Sequence, residues 1–212
     1  MPSVVDICNT ALAHVGADSQ IASISPPDGT VEAGYCARFY PIARRLLIDR
    51  FAFRFTRTRV LLAEVTNPSD EWGFAYALPA DCVRPVQVLP AVSTSALLFS
   101  DDAQNLDGSV ERDSALFVVE GDVLLTNEPD AVLLYRRDVV DPNRFSPGFA
   151  DALAKTLAGY LAPSLIKGID GARIGATWAE AGMASARTAA TDDANTGAES
   201  NEFNPSSVRA RA

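Results

Sequence analysis

Residues 40–62, YPIARRLLIDRFAFRFTRTRVLL, decide the fold, because the spacing of their apolar side chains changes along the segment. Up to Arg50 the apolar residues recur every three or four positions, which is typical of one face of an α-helix. From there Phe51, Phe53 and Phe55 lie two apart, with alanine and arginine between them, and this alternation indicates a β-strand. We therefore expect a helix that leads directly into a strand region at about residue 51.

Two helices are predicted on the N-terminal side of this change. Ser3 and Asp6 resemble a capping box at the start of the first helix, and Gly16 ends its apolar pattern. A proline-rich loop follows, and Asp28 or Thr30 can cap the second helix. The apolar stripe predicted for the second helix consists of Val31, Tyr35, Phe39, Ile42, Leu46 and Leu47, and its opposite side carries Arg38, Arg44, Arg45 and Asp49.

Short strands are predicted between residues 72 and 140, where apolar runs are separated by Pro, Asp and Gly. The dipeptide Gly121-Asp122 lies between two of these runs and resembles a tight hairpin turn. Strands of this length and spacing predict a small antiparallel sandwich or barrel. The candidate strands are VRPVQVLP (83–90), ALLFS (96–100), ALFVVEG (115–121), DVLLTN (122–127) and AVLLYRRDV (131–139).

Two more helices are predicted after the strands. Pro147 suits a first helical position, with Ser146 as its cap, and an alanine-rich helix of about 20 residues begins near Asp170. No periodicity continues beyond Thr191, so the end of the chain is either a frayed terminus or an arm that a partner orders. The predicted fold is α+β: a four-helix bundle formed by residues 1–50 and 141–191, an inserted β-strand domain at 51–140, and a C-terminal arm at 192–212.

Charge is distributed unevenly along the 212 residues, which carry a net charge of -9. Residues 38–59 contain seven arginines and one acid, whereas residues 101–130 contain nine acids and one base. Such polarity suits a subunit that meets neighbours of opposite sign, although two solvated faces of a monomer would give the same pattern. The candidate residues for a basic face between subunits are Arg44, Arg45, Arg54, Arg57 and Arg59.

Motifs for chemistry are scarce. The cysteines Cys8, Cys36 and Cys82 lack metal-ligand spacing, and His14, the one histidine, has no acid or nucleophile in a recognisable motif near it. We expect Cys8 and Cys36 to be small core residues. The sequence therefore predicts no catalytic residue, no metal site and no cofactor, and no apolar run is long enough to span a membrane.

Four segments, in this order, carry a resemblance to a known family. They are VVDICNTALAHVGADSQIASI (4–24), YPIARRLLIDRFAFRFTRTRVLL (40–62), WGFAYALPADCVRPVQV (72–88) and FVVEGDVLLTNEPDAVLLYRRDVVDPNRFSPGFADALAKTLAGYLAP (117–163). Together they resemble the head-to-tail adaptor (tail tubular protein A) family of short-tailed bacteriophages over about residues 3–190. The last twenty or so residues are similar to the family only in their general composition, without a matching motif.

The resemblance implies a structural virion protein that catalyses no reaction. Members form a dodecameric ring at the head–tail junction, with the helical bundle toward the portal protein and the strand domain toward the tail nozzle. Viral DNA leaves through the ring without specific binding, and assembly takes place in the host cytoplasm. The C-terminal segment reaches the portal, and the candidate contact residues there are Phe203, Val208, Arg209 and Arg211.

Two other functions remain compatible with the residues. One is a DNA-binding assembly or regulatory factor that uses the arginines of residues 38–59, and it predicts salt-dependent affinity for DNA. The other is a small enzyme with a ligand pocket in the strand domain, which would need convergent titratable groups that this region lacks.

Overall fold

A computed structural model describes residues 2–90 and 114–195 of the chain. The described residues form four α-helices and two three-stranded antiparallel sheets, which confirms the α+β class. The chain divides into a helical unit, Met1–Phe55 with Val139–Ala212, and a strand unit, Thr56–Asp138. The helices are α1 (Val4–His14), α2 (Val31–Arg50), α3 (Pro147–Leu165) and α4 (Ile169–Asn195), and short 3-10 turns span Arg54–Thr56 and Pro142–Arg144.

The helix starts follow the predicted caps. The Ser3 side chain accepts a hydrogen bond from the amide of Asp6 at 3.1 Å, and the Asp6 carboxylate accepts one from the Ser3 amide at 2.8 Å. This reciprocal pair confirms the capping box. Thr30 caps α2 and Ser146 caps α3, and each side-chain oxygen accepts a hydrogen bond from a backbone amide three residues later. The backbone leaves α1 at Gly16, whose φ of 75° lies in the left-handed region that glycine adopts without strain.

Helix α3 is the centre of the helical unit, because it packs against each of the other three helices. Its contact with α4 depends on glycines that let two backbones approach closely. A methyl group added at Gly159 would lie 3.0 Å from the backbone nitrogen of Ala179, and one added at Gly175 would lie 2.9 Å from the carbonyl oxygen of Gly159. Glycines therefore allow the close approach of the two helices, while Ala172, Ala176 and Ala184 of the alanine-rich helix are exposed.

The buried face of α2 differs from the predicted apolar stripe by a rotation about the helix axis. Val31 and Ile42 are exposed, and of the six predicted residues Leu47 alone is fully buried. The buried face instead carries small side chains, larger apolar or aromatic ones and one charged residue. The buried residues of α2 are Ala33, Cys36, Tyr40, Ala43, Arg44, Leu47 and Ile48.

The strand predicted from Phe51 is wrong at its start. Phe53 is fully buried in an aromatic cluster of the helical unit, with ring centroids 4.8 Å from Phe149, and Phe55 lies 5.0 Å from the same ring. The chain makes a 3-10 turn at Arg54–Thr56 to place both rings. Packing on α3 thus overrides the local alternation, and the strand unit begins at Thr56 instead of residue 51.

The strand unit contains six described strands in two sheets. The first sheet has the order β1-β6-β3 and the second β2-β5-β4. Gly121, with a φ of 64°, forms the tight turn between β4 and β5, as predicted. The strands are β1 (Arg57–Leu61), β2 (Phe74–Ala77), β3 (Cys82–Leu89), β4 (Phe117–Glu120), β5 (Val123–Thr126) and β6 (Val132–Arg137). The predicted strand at residues 96–100 lies outside the described residues.

One hydrophobic core serves both sheets of the strand unit. It includes Tyr76 of β2, Val88 of β3, Leu124 of β5 and Leu133 of β6. Two isolated bridges, Glu64 to Tyr76 and Val88 to Ala115, connect strands across the gaps between the sheets. The described strands do not close into a continuous barrel.

Candidate interaction surfaces

Strand β1 presents arginine side chains to solvent. Arg57 and Arg59 are exposed, whereas Thr58 and Val60 between them are half-buried, so the arginines lie on one face of the sheet. The sequence predicted both as members of a basic face, and the structure places them two residues apart on a terminal strand.

The register of the first sheet extends this basic face with two arginines that the sequence analysis missed. Arg136 of β6 lies opposite Arg57, and Arg84 of β3 lies opposite Arg136. Residues directly opposite each other across antiparallel strands share a face, so the three form an arginine row across the sheet. Arg84 and Arg136 also take part in other interactions. Strand pairing brings these residues together from distant positions, and no local pattern signals it.

The remaining candidate arginines belong to the helical unit, and one of them is not at a surface. Arg44 is 6% exposed and lies with its guanidinium carbon 5.9 Å from the centre of the Tyr40 ring. The expectation that Arg44 contributes to an exposed basic face is therefore corrected, because the side chain is enclosed by its own helical unit. Arg45 and Arg54 are exposed. The Arg54 amide donates a hydrogen bond to the Asp193 carboxylate near the end of α4.

Acidic residues outnumber basic ones strongly in the strand unit. Residues 56–138 contain 14 acids and 6 bases, whereas the residues of the helical unit contain 13 acids and 12 bases. Glu120 and Asp122 lie exposed at the β4–β5 turn, and Asp130 lies in the β5–β6 turn. The acidic residues within positions 101–113 lie outside the described part of the chain. The strand unit thus combines a local arginine row with a large overall excess of negative charge.

The candidate portal-contact residues Phe203, Val208, Arg209 and Arg211 also lie outside the described residues. Helix α4 continues to Asn195, so it includes residues 192–195, which the sequence analysis assigned to the arm. The contact of Asp193 with Arg54 holds this last turn against the rest of the helical unit. The arm as predicted therefore begins four residues too early.

A cluster of polar side chains links α3 to α4. The Lys155 ammonium lies 2.6 Å from the Asp151 carboxylate and 2.8 Å from the Ser185 hydroxyl. The lysine therefore donates one hydrogen bond to an acceptor on its own helix and one to an acceptor on the neighbouring helix. This arrangement supports a connection between helices.

His14 lies against Trp178, with ring centroids 4.2 Å apart. Its Nε2 atom is buried without a hydrogen-bond partner among the described residues. Burial lowers the pKa of His14, and the Lys155 charge adds to this effect, while Asp151 opposes it. The neutral imidazole therefore packs as a partly apolar ring at the end of α1.

The three thiols differ in their environments, and two of them have raised pKa values. Cys8 and Cys36 are fully buried, as predicted for small core residues. A hydrogen bond with Cys36, together with burial, raises the pKa of the Cys8 thiol. Burial, with Asp81 nearby, raises the pKa of Cys82 to about 11. The thiolate is the reactive form of cysteine, so the raised pKa values of Cys8 and Cys82 oppose covalent chemistry. The hydrogen bond with Cys8 lowers the pKa of Cys36, but that side chain is fully buried.

The chain matches no protein-family model and no curated protein. In the described ranges, no group of three His, Cys, Asp or Glu side chains is placed to bind a metal ion. No described helix combines the length and apolar character needed to cross a bilayer. The features of this chain that bear on function are therefore the arginine row, the acidic excess and the order of the elements.

Proposed function

We propose that this chain is a structural virion protein, one subunit of an adaptor ring that joins the portal to the tail nozzle of a short-tailed bacteriophage. The observation that carries the proposal is the order of the elements. Two helices, six strands and two further helices follow one another, and the first and last pairs belong to one helical unit. This is the arrangement that the resemblance to the head-to-tail adaptor family implies.

Charge supports a ring made of copies of this chain. A closed ring needs two different surfaces on each subunit, because one face of a copy must meet another face of the next. The strand unit has a basic face at Arg57 and Arg59 and an excess of eight negative charges overall. Complementary charge on two faces would orient neighbouring copies head to tail. We propose a dodecamer by analogy with the family.

The same excess of acid suits a channel through which DNA passes. Phosphate neutralisation by Lys and Arg drives nonspecific DNA binding, so a ring with a net charge of -9 per copy would repel the duplex as a whole. In this proposal DNA crosses the ring without specific binding. The protein would catalyse no reaction and would act at the head–tail junction of the virion, after assembly in the host cytoplasm.

We also infer that the strand unit is a small sandwich or a partly open barrel. The support is the shared core, in which buried residues of both sheets pack together. The bridges from Glu64 to Tyr76 and from Val88 to Ala115 lie at the two places where the sheets approach each other. A compact domain of this kind would present turns to the tail nozzle.

The C-terminal arm is proposed to contact the portal protein. Phe203 and Val208 would supply apolar anchors, and Arg209 and Arg211 would supply charge. A segment that orders on binding can follow a long surface of its partner.

The proposal is tested by locating the protein in the particle. Cryo-electron microscopy of the virion should show a ring of this fold between portal and tail. The purified chain, mixed with portal protein, should co-migrate with it in size-exclusion chromatography. A map that places the protein elsewhere, or the absence of any complex with portal, would contradict the proposed role.

A second candidate, a DNA-binding assembly factor, is favoured by one observation, the arginine row of Arg57, Arg136 and Arg84. It predicts DNA affinity that falls steeply with salt, with a slope set by the number of phosphates neutralised. A binding titration at two or more salt concentrations separates the two functions, since the ring subunit should show little affinity for DNA.

A further inference from the structure

Within the described residues, β1 is a terminal strand of the first sheet and β4 is a terminal strand of the second. Strand β1 pairs with β6 alone, and strand β4 pairs with β5 alone, within the described residues. The contacts on their outer sides lie beyond the strand ends: the bridge at Ala115 precedes β4, and the bridge at Glu64 follows β1. A terminal strand exposes backbone donors and acceptors that can pair with another strand.

Both edge strands combine exposed apolar side chains with exposed charged ones. On β1 the exposed residues are Arg57, Arg59 and Leu61, and Leu61 is 61% exposed. On β4 and just before it, Leu116 is 83% exposed, and Val118 and Glu120 on the same face are exposed as well; Val119, on the opposite face, is 38% exposed. Strand β4 has no proline, lysine or bulge, which are the features that commonly block edge pairing.

We propose that β4 of one copy pairs antiparallel with β1 of a second copy, with Glu120 opposite Arg57 and Leu116 opposite Leu61. This inference rests on the proposed ring, since it names the contact through which the copies join. Val118 then lies opposite Arg59, where the aliphatic part of the arginine covers the valine.

Charge and exposure favour this register over a parallel arrangement and over a shift by one residue. It places the exposed residues of both strands on a common face, with an opposite-charge pair at one end and an apolar pair at the other. A parallel arrangement would put Glu120 opposite Leu61 and Leu116 opposite Arg57, which leaves both charges without partners. A shift by one residue would turn the exposed residues of one strand to the opposite face.

The pairing also has the geometry that a ring requires. Strands β4 and β1 are different surfaces of the same chain, so each copy would use one edge toward each neighbour. A pairing of β4 with β4 of another copy would end after one dimer. It would also place both Glu120 carboxylates opposite apolar residues at the other end of the strand.

Cross-linking of two mixed variants, each with one introduced cysteine at the surface, tests the pairing directly. Leu61→Cys and Leu116→Cys are introduced separately into the full chain with Cys82→Ser, while the buried Cys8 and Cys36 remain. The two proteins are mixed at high concentration, with and without portal protein, and treated with a short bis-maleimide. We expect a covalent dimer in the mixture and little in either protein alone. Val31→Cys, at an exposed site of the helical unit, is the matched control and should not cross-link to Leu116→Cys.

A charge exchange supplies the second readout. Glu120→Arg places an arginine opposite Arg57, and we expect self-association, measured by sedimentation, to weaken about tenfold. Arg57→Glu combined with Glu120→Arg should restore it.

Absence of the mixed cross-link with and without portal, or equal cross-linking by either variant alone, would overturn the pairing. Rings seen by electron microscopy without the cross-link would leave the proposed function standing, whereas the cross-link in a protein that never binds portal would refute the function and keep the pairing.

Discussion

Gly182 of α4 lies directly against the backbone of Thr156 in α3. A methyl group added to the glycine would lie 2.7 Å from the Thr156 amide nitrogen and 3.0 Å from its Cα atom. Backbone atoms cannot move aside as a flexible side chain can, so Gly182→Ala should push the two helices apart. We expect a loss of about 2 kcal/mol in the free energy of unfolding, as for other overpacked cores. Urea denaturation followed by circular dichroism measures it.

Gly34→Ala is the matched control for this substitution. Gly34 lies inside α2, and a methyl group added there would meet nothing within 4 Å. Alanine is a better helix former than glycine by about 1 kcal/mol, so this variant should be slightly more stable than the native chain. Equal stabilisation of the two variants would show that helix propensity governs the result and that the contact with Thr156 costs nothing.

His14 should make stability depend on pH below neutrality. Its pKa is lowered in the folded chain, mainly by burial, so the unfolded state binds a proton more readily. The contribution of the neutral ring is therefore complete above the ordinary histidine pKa of about 6.5 and is lost as pH falls through it toward the lowered value. The free energy of unfolding should fall between pH 7.5 and about 5.5 as a consequence.

His14→Gln tests the assignment, because the chain has no other histidine. The variant should lose the pH dependence in this range while remaining folded. Asp28 does not interfere, since its ordinary pKa of 3.8 and its folded pKa of about 2, lowered by hydrogen bonds from Thr30 and from the Ala22 amide, both lie below this range. A native pH profile that persists in the variant would place the titrating group elsewhere.

The sequence predicted best those features that local chemistry determines. The caps at Ser3 and Ser146 and the turn at Gly121 depend on a few neighbouring residues, and each was predicted correctly. The register of β6 between β1 and β3 depends on contacts between residues far apart in the chain. For that reason Arg57 was a candidate from the sequence, whereas Arg84 and Arg136, which complete the row, were not.

Tertiary packing explains the two errors around residue 50. The apolar spacing of α2 is compatible with several rotations of the helix, and close approach selected the face with Ala33, Cys36 and Ala43. The alternation of Phe51, Phe53 and Phe55 indicates a strand when read locally. The aromatic cluster with Phe149 stabilises a different backbone path.

Substitution of the phenylalanines distinguishes a strand at residues 51–55 from packing in the aromatic cluster around Phe149. Phe53 is fully buried and packs edge-on against Phe149, whereas Phe51 is half-buried at the end of α2. We expect Phe53→Ala to lower the free energy of unfolding by about 3–5 kcal/mol and Phe51→Ala by clearly less. Three residues on one strand face would share similar burial, so equal losses from both variants would favour the strand. Chemical denaturation monitored by near-ultraviolet circular dichroism gives both values.

Truncation after Asn195 should separate portal binding from folding. Helix α4 is intact to this residue, and the Asp193 carboxylate accepts a hydrogen bond from the Arg54 amide. A chain of residues 1–195 should therefore unfold at the same denaturant concentration as the full chain. It should bind portal protein much more weakly if Phe203 and Val208 anchor the arm, and pulldown with portal protein measures this loss.

Truncation after Thr191 is the informative comparison, because it also removes Asp193. This shorter chain should be less stable, since the Arg54 amide loses its acceptor and α4 loses its last turn. In the full chain, Phe203→Ala should weaken portal binding by about tenfold or more, as expected for an aromatic anchor, and Ser207→Ala should leave it unchanged. Full portal affinity in the 1–195 chain would show that the contact lies in the helical or strand unit and that the arm has no part in it.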